Sequence, residues 1–291
     1  MRPPRQKTLP DVTIIGAGTL ATALAAALHG RGFRIAEIVS RDNPQSRRRA
    51  GVLAKRVGAR SVTASQAAFT ARITWICVPD DAISVVAQKL SARKTWRSKI
   101  VVHSSGALAS AVLDDVRKLG AAIASVHPLM TFVSTSEADF KGVPFAIEGD
   151  TKALSVVGGI VRSLGGKPFR IAAELKPAYH AFGFFSSPAL IALISAAQQV
   201  GKLAGFSESR ARELMEPIVR QTIDNCFRTD PASAFSGPLR RGDIATVRKH
   251  LDVLKQSPEL LDVYKSLGRI ALRHLPKANP EKLRRLLITN K

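Results

Sequence analysis

Acidic residues are scarce in this chain. Its 291 residues include 22 Asp and Glu against 44 Lys and Arg, a formal net charge of +22. A field of that sign draws polyanions. The basic residues are nonetheless spread out, with short clusters only at Arg47-Arg48-Arg49, Arg240-Arg241 and Arg248-Lys249. Aromatics are 5% of the residues and do not interleave with those clusters. With no nucleic-acid module beside them, nucleic-acid binding is not the expected function. Cysteine is scarcer still. Cys77 and Cys226 stand far apart, which fits two free thiols in a reducing cytoplasm better than a disulfide. No His, Cys, Asp and Glu set has ligand spacing, so no metal is expected. Long apolar runs are also few. Residues 177–201 lack Asp, Glu, Lys and Arg, but hold His180, Pro188, Gln198 and Gln199. That is too polar for hydrocarbon and reads as a helix buried on most sides, in a domain core or a subunit interface. The basic start, Met1-Arg2-Pro3-Pro4-Arg5-Gln6-Lys7, leads into no signal-peptide core.

Hydrophobic residues make up 45% of the chain, enough for a packed core. The chain is organised around residues 12–41. An apolar run, Val12-Thr13-Ile14-Ile15, enters Gly16-Ala17-Gly18-Thr19-Leu20-Ala21. An Ala- and Leu-rich helix follows, then a second apolar run ending at Ser40-Arg41. A strand, a glycine turn, a helix and a strand form the unit that binds dinucleotides. Gly16 permits the turn, Gly18 lets backbone approach a pyrophosphate, and Ala21 lets helix and strand pack closely. The amide groups of residues 17–20 open toward a phosphate.

Strands and helices keep alternating to about residue 170. Apolar runs end in short polar strings: Val78-Pro79-Asp80-Asp81, His103-Ser104-Ser105-Gly106 and His127-Pro128. Strict alternation predicts a doubly wound, mostly parallel sheet, and ligands of such sheets bind beyond the carboxyl ends of the strands. Val78, Pro79 and Ser104 therefore join Gly16, Ala17, Gly18, Thr19 and Leu20 as expected cofactor contacts. After residue 170 strand signals stop and apolar residues recur at helical spacing. The expected division is 1–170 for the cofactor domain and 171–291 for an all-α domain that binds substrate or dimerises.

An acidic residue at the end of the second strand would hold the ribose hydroxyl of NAD. Here Ser40 and Arg41 stand there. A hydroxyl and a guanidinium suit a 2′-phosphate instead, so NADP(H) is the expected cofactor.

Together these strings resemble the Rossmann-like proteins with a C-terminal domain of unknown function 2520. Tyr179-His180-Ala181, Phe235-Ser236-Gly237-Pro238, Arg241-Gly242-Asp243 and His250-Leu251 continue the resemblance through the second half. The layout is more distantly similar to ketopantoate reductase, pyrroline-5-carboxylate reductase and the deazaflavin-dependent NADP reductases. The resemblance implies an NADP-dependent oxidoreductase, often dimeric through its helical domain. Family members usually carry an Asn shortly after the Tyr-His pair; this chain has Pro188 there.

Hydride transfer to a carbonyl or imine needs a proton donor, and histidine suits neutral pH. His127, His180 and His103 are the candidates; His29, His250 and His274 fall in expected helices. Ser105, Arg241 and Asp243 are candidates for holding a small, anionic substrate, while an Arg–Asp pair that merely fixes its loop is the plainer reading of the last two. Two other functions stay open: a dinucleotide-binding regulator without turnover, and a polyanion-binding protein on the same fold.

Overall fold

The computed structural model describes residues 9–93, 96–132 and 139–288. The basic heptad at the start lies outside them. The chain forms two compact units, residues 1–188 and 189–291. The first contains β1 (Val12–Ile15), α1 (Thr19–Gly30), β2 (Ile35–Ser40), α2 (Pro44–Arg56), β3 (Arg60–Thr63), β4 (Ile73–Ile76), α3 (Asp80–Ser91), β5 (Ile100–His103), α4 (Asp114–Lys118), β6 (Ala122–Pro128), β7 (Pro144–Gly149), α5 (Thr151–Ser163), β8 (Lys167–Arg170) and α6 (Lys176–Ser186).

The eight strands form one sheet in the order β3-β2-β1-β4-β5-β6-β7-β8. Only the β6–β7 pairing is antiparallel. The six strands from β3 to β6 thus end on one edge, which sets their terminal loops side by side. The central strands are buried on both faces, as helices on both sides require. Alternate residues serve alternate faces. Ile14, Trp75, Val102 and Ala124 pack with Leu24, Leu28, Leu53 and Val157 of α1, α2 and α5. Ile15, Ile76, Val101 and Ile123 pack with Ile83, Leu90 and Val116 of α3 and α4.

β3 is a short strand, Arg-Ser-Val-Thr, on the sheet edge, and its sequence carries no apolar run to announce it. Between β5 and β6 the connection is a 3-10 turn at Ser110–Leu113 followed by the five-residue α4. The division into units falls after Pro188 because α6 packs on the sheet unit, through contacts described below.

The second unit is helical throughout: α7 (Pro188–Leu203), α8 (Glu208–Arg228), α9 (Pro231–Ala234), α10 (Pro238–Arg241), α11 (Ile244–Leu254), α12 (Pro258–His274) and α13 (Pro280–Ile288). Its core is small and lies among α11, α12 and α13, where Val247, Leu251, Leu272, Leu283 and Leu287 meet. The uncharged stretch at 177–201 is not a helix buried in the core of its own chain. It is two helices that break at Ser187, and α7 buries none of its residues. By length and composition the span Ala173–Leu203 could cross a membrane, its 18-residue apolar window having a mean hydropathy of 1.5.

Candidate active site at the strand ends

The glycine turn between β1 and α1 is built as its sequence requires. Gly16 sits at φ +115°, and a Cβ there would stand 2.2 Å from the Cys77 carbonyl oxygen. Only glycine fits both the conformation and the space. A Cβ on Gly18 would meet nothing within 4 Å. No side chain caps α1 at Gly18, so amide groups of its first turn remain available to an anion. At the adjacent end of β2, Ser40 is buried and its hydroxyl has no hydrogen-bond partner. A buried hydroxyl left unpaired is costly, and a ligand group reaching the end of β2 would satisfy it. Arg41 is exposed beside it. Asp42 is engaged by Arg47. A groove of about 460 Å³ continues between α1 and α2, lined by Ala17 and Thr22 and, across from them, Gln45, Arg48, Arg49 and Arg56. These residues fit a phosphate-bearing dinucleotide.

Further along the edge, a hydrogen-bond chain fixes the loop after β5. Ser105 donates from its hydroxyl to Asp80 at 2.6 Å and accepts from the backbone amides of Ala107 and Leu108. His103 is fully buried; its Nδ1 accepts from the Ser105 amide at 3.1 Å. Its Nε2 therefore carries the proton, donated to the Ala109 carbonyl at 3.2 Å. Burial pushes the His103 pKa down to about 4. The Ser104 hydroxyl accepts from the Trp75 indole at 2.8 Å.

At the end of β6, His127 Nδ1 lies 2.9 Å from the Tyr179 hydroxyl of α6. The two rings meet edge-on with centroids 5.5 Å apart, and His180 is the next ring, 6.3 Å from His127. A single helix thus brings Tyr179 and His180 to β6, and Gly106 completes the cluster. A Cβ on Gly106 would lie 2.7 Å from His180 Cδ2 and 2.9 Å from His127 Nε2. Burial first, and the positive charge of Lys176 next, lower the His127 pKa to about 4. Burial raises that of Tyr179 to about 12. Lys176, the first residue of α6, has no exposed surface. It donates to the Ser105 carbonyl at 3.0 Å and to the Ser125 hydroxyl at 2.7 Å.

The model of the Rossmann-like domain matches residues 1–128, and that of the domain of unknown function DUF2520 matches residues 143–271. The chain joins a Rossmann-like domain to a DUF2520 domain. A candidate NADP oxidoreductase from Bacteroides fragilis superposes with a TM-score of 0.75 at 26% identity, covering 90% of this chain and 97% of that one. A protein from Thermotoga maritima gives 0.70 at 25%, covering 89% and 96%. A reductive aminase from Aspergillus terreus, in complex with NADPH and ethyl-5-oxohexanoate, gives 0.65 at 16%, covering 96% and 99%. Comparison with curated proteins finds no match.

The DUF2520 match begins at residue 143, inside the sheet, so it takes in β7, α5, β8 and α6 as well as most of the helical unit. Of the residues singled out by sequence, Gly16, Ala17, Gly18, Thr19, Leu20, Ser40, Arg41, Val78 and Pro79 lie at the strand-end edge of the Rossmann-like domain. His127 and His180 are brought together there. His103 is corrected from proton donor to loop anchor, since both of its ring nitrogens are engaged. The Ser104 hydroxyl accepts from the core indole of Trp75 and keeps its own proton to donate. Ser105 spends its hydroxyl on Asp80 and two amides. In the helical unit, the Asp243 carboxylate caps α11, accepting from the Thr246 amide and hydroxyl, which lowers its pKa. Arg240, the neighbour of Arg241, donates to the Phe235 carbonyl. Sequence reasoning missed Tyr179 and Lys176 as site residues. Tyr179 carried a usable signal, being adjacent to His180 and one of only two tyrosines. Among the described residues no group of His, Cys, Asp and Glu could hold a metal ion.

Proposed function

We propose that this protein is an NADP(H)-dependent oxidoreductase that reduces a small, anionic carbonyl or imine compound. The observation that carries the reading is the conjunction on one sheet edge of an open glycine turn, an orphaned Ser40 hydroxyl with Arg41 beside it, and the His127–Tyr179–His180 cluster. The amides of Gly18 to Leu20 would hold the pyrophosphate, and Ser40 and Arg41 the 2′-phosphate. The cofactor supplies the hydride, which is the difficult part of the chemistry.

The chain's own residues handle the proton. His127 is uncharged at neutral pH and holds one ring proton; we assign the Nδ1–H tautomer, in which that proton is donated to the Tyr179 oxygen. The phenol proton is then free to point at the accepting atom. As the carbonyl or imine carbon gains the hydride, its oxygen or nitrogen takes the Tyr179 proton, and the phenolate left behind keeps the His127 Nδ1–H bond. Such a charge-assisted bond lowers the cost of ionising a phenol whose burial otherwise opposes it. His180 flanks the pair and Gly106 closes its other side.

The protein acts as a homodimer through its helical unit. Ile191, Leu193 and Ile218 are exposed on α7 and α8. The chain is uncharged from 177 to 201, so two copies of a +22 molecule can meet there without like charges facing.

The test is a titration with NADPH and NADH, followed by turnover of NADPH against a panel of ketones with and without amines, cyclic imines and 2-oxo acids. NADPH binding that Arg41→Ala weakens at least tenfold, with turnover of one class, supports the reading. Binding without turnover of any class would assign a cofactor-binding regulator instead, which Pro188 in place of the usual Asn favours. Equal affinity for both cofactors in the wild type and in Arg41→Ala would overturn the NADP assignment.

A further inference from the structure

Lysine is almost never fully buried unless it is paired. Lys176 is buried completely, and neither of its hydrogen-bond partners is a carboxylate. The acids that face it are committed elsewhere. Asp80 of α3 takes the Ser105 hydroxyl. Glu148 of β7 takes the Ser110 amide at 2.5 Å and its hydroxyl at 2.8 Å. His103 of β5 and His127 of β6 also feel the lysine's charge. Burying an ammonium against a carbonyl and a hydroxyl is expensive, so the fold must gain something at this place that an apolar side chain would not give.

The partners show what is gained. Ser105 belongs to the loop after β5, Ser125 to the middle of β6, and Lys176 to the start of α6. Ser125 also donates to the same Ser105 carbonyl, at 3.2 Å. One amine therefore ties α6 to two elements that already run side by side in the sheet, the loop after β5 and the β6 strand whose Ser125 is in register with His103. The residue after Ser105 is Gly106, whose Cα lies against the His127 and His180 rings closely enough to exclude any Cβ. The peptide held by Lys176 is thus the support behind the cluster.

We propose that Lys176 is a positioning residue: from the base of α6 it pins the Ser105–Gly106 peptide to β6, which sets the His127 ring against Tyr179 and keeps a positive charge beside it. Lys176 does not touch substrate, because its amine is closed off from solvent and spent on Ser105 and Ser125. A neutral side chain of similar length would fill the same space without the pin and without the charge. The charge disfavours a second proton on His127, and the pin disfavours movement of its ring. This inference gives a reason for the cluster's geometry, and its role in reduction rests on the function proposed above.

The experiment is a 15N-histidine NMR titration of full-length protein, with and without NADPH, in the wild type and in Lys176→Met and Lys176→Arg. In Lys176→Met the His127 titration should move up by about one pH unit or more, while Lys176→Arg restores the wild-type value. A second variant, Ser125→Ala, keeps the charge but removes one partner of the pin. There His127 should titrate as in the wild type, while hydrogen exchange at the Gly106 amide speeds up at least tenfold. An unmoved His127 titration in a folded Lys176→Met, or an unchanged Gly106 exchange rate in Ser125→Ala, would overturn the proposal. Should Lys176→Met fail to fold, the Ser125→Ala exchange rate alone decides. None of these readouts involves turnover, so a protein that never oxidises NADPH would refute the oxidoreductase reading and leave this one standing.

Discussion

At the scale of single residues, chemistry turns on where each polar atom is spent. His103 and His127 look alike in sequence: each stands at the end of an apolar run. Their surroundings separate them. His103 has a backbone partner on each nitrogen, whereas His127 has one side-chain partner that itself can give up a proton. Tyr179→Phe tests that difference. It keeps the ring packing and removes only the hydroxyl that meets His127 Nδ1. NADPH affinity should stay within twofold, while turnover of whichever carbonyl or imine is reduced should fall by roughly 100-fold or more, the usual worth of a general acid. Stopped-flow measurement of NADPH oxidation at saturating cofactor checks this, and an unchanged rate would move the proton to another group. The glycines of the turn were legible because each answers a backbone demand written in the residue itself. The burial of Lys176 was not, since Leu-Lys-Pro at a helix start reads as a surface lysine, and its partners, Ser105 and Ser125, lie 71 and 51 residues earlier.

At the scale of elements, β1, β2, β4, β5 and β6 were readable as apolar runs, and α1 as the helix that a glycine turn opens. β3 was not, because an edge strand of four residues carries too few apolar positions to show a period. The break at Ser187 was readable only as an option, since Ser187-Pro188 can end one helix and begin another. α2 carries a consequence for the cofactor. Its Pro44 start and Asn43 cap, which accepts from the Ser46 amide, fix the rotation of the helix. That rotation sends Arg48 and Arg49 into the groove beside Ala17 and Thr22, while Arg47 turns to Asp42. Arg48 and Arg49 should therefore strengthen binding of the 2′-phosphate along with Arg41, and Arg47 should not. The double variant Arg48→Gln/Arg49→Gln is expected to weaken NADPH binding by about 10- to 100-fold and leave NADH binding within twofold, the scale of one or two lost charge-assisted contacts. Arg47→Gln should change neither. Isothermal titration of both cofactors against the three proteins decides it: equal losses for NADPH and NADH would place the groove outside the 2′-phosphate site.

For the whole molecule, the same burial that shapes the cluster sets a pH dependence of folding. His103 and His127 have native pKa values near 4, against 6.5 for an unperturbed histidine. Above pH 6.5 both are neutral, folded or unfolded, and they contribute no slope. As the pH falls below 6.5 the unfolded chain takes up a proton at each ring while the native protein does not, so stability must decline. The decline continues to about pH 4, where the native rings protonate too. Two rings, each shifted by about 2.5 units, amount to roughly 7 kcal/mol at the acid end, a large share of the 5–15 kcal/mol that holds an ordinary domain. Carboxylates enter the balance below about pH 5, so the histidines are best isolated between pH 6.5 and 5. Urea unfolding across that interval should show stability falling by about 2 to 3 kcal/mol, and His127→Gln should cut the slope to about half while leaving the stability at pH 7.5 lower than wild type, because the Tyr179 contact is weakened. A wild-type stability flat from pH 6.5 to 5 would mean that these rings are hydrated in solution. The proton-handling cluster and the acid sensitivity would then both be lost together, since each follows from keeping His127 uncharged beside Lys176.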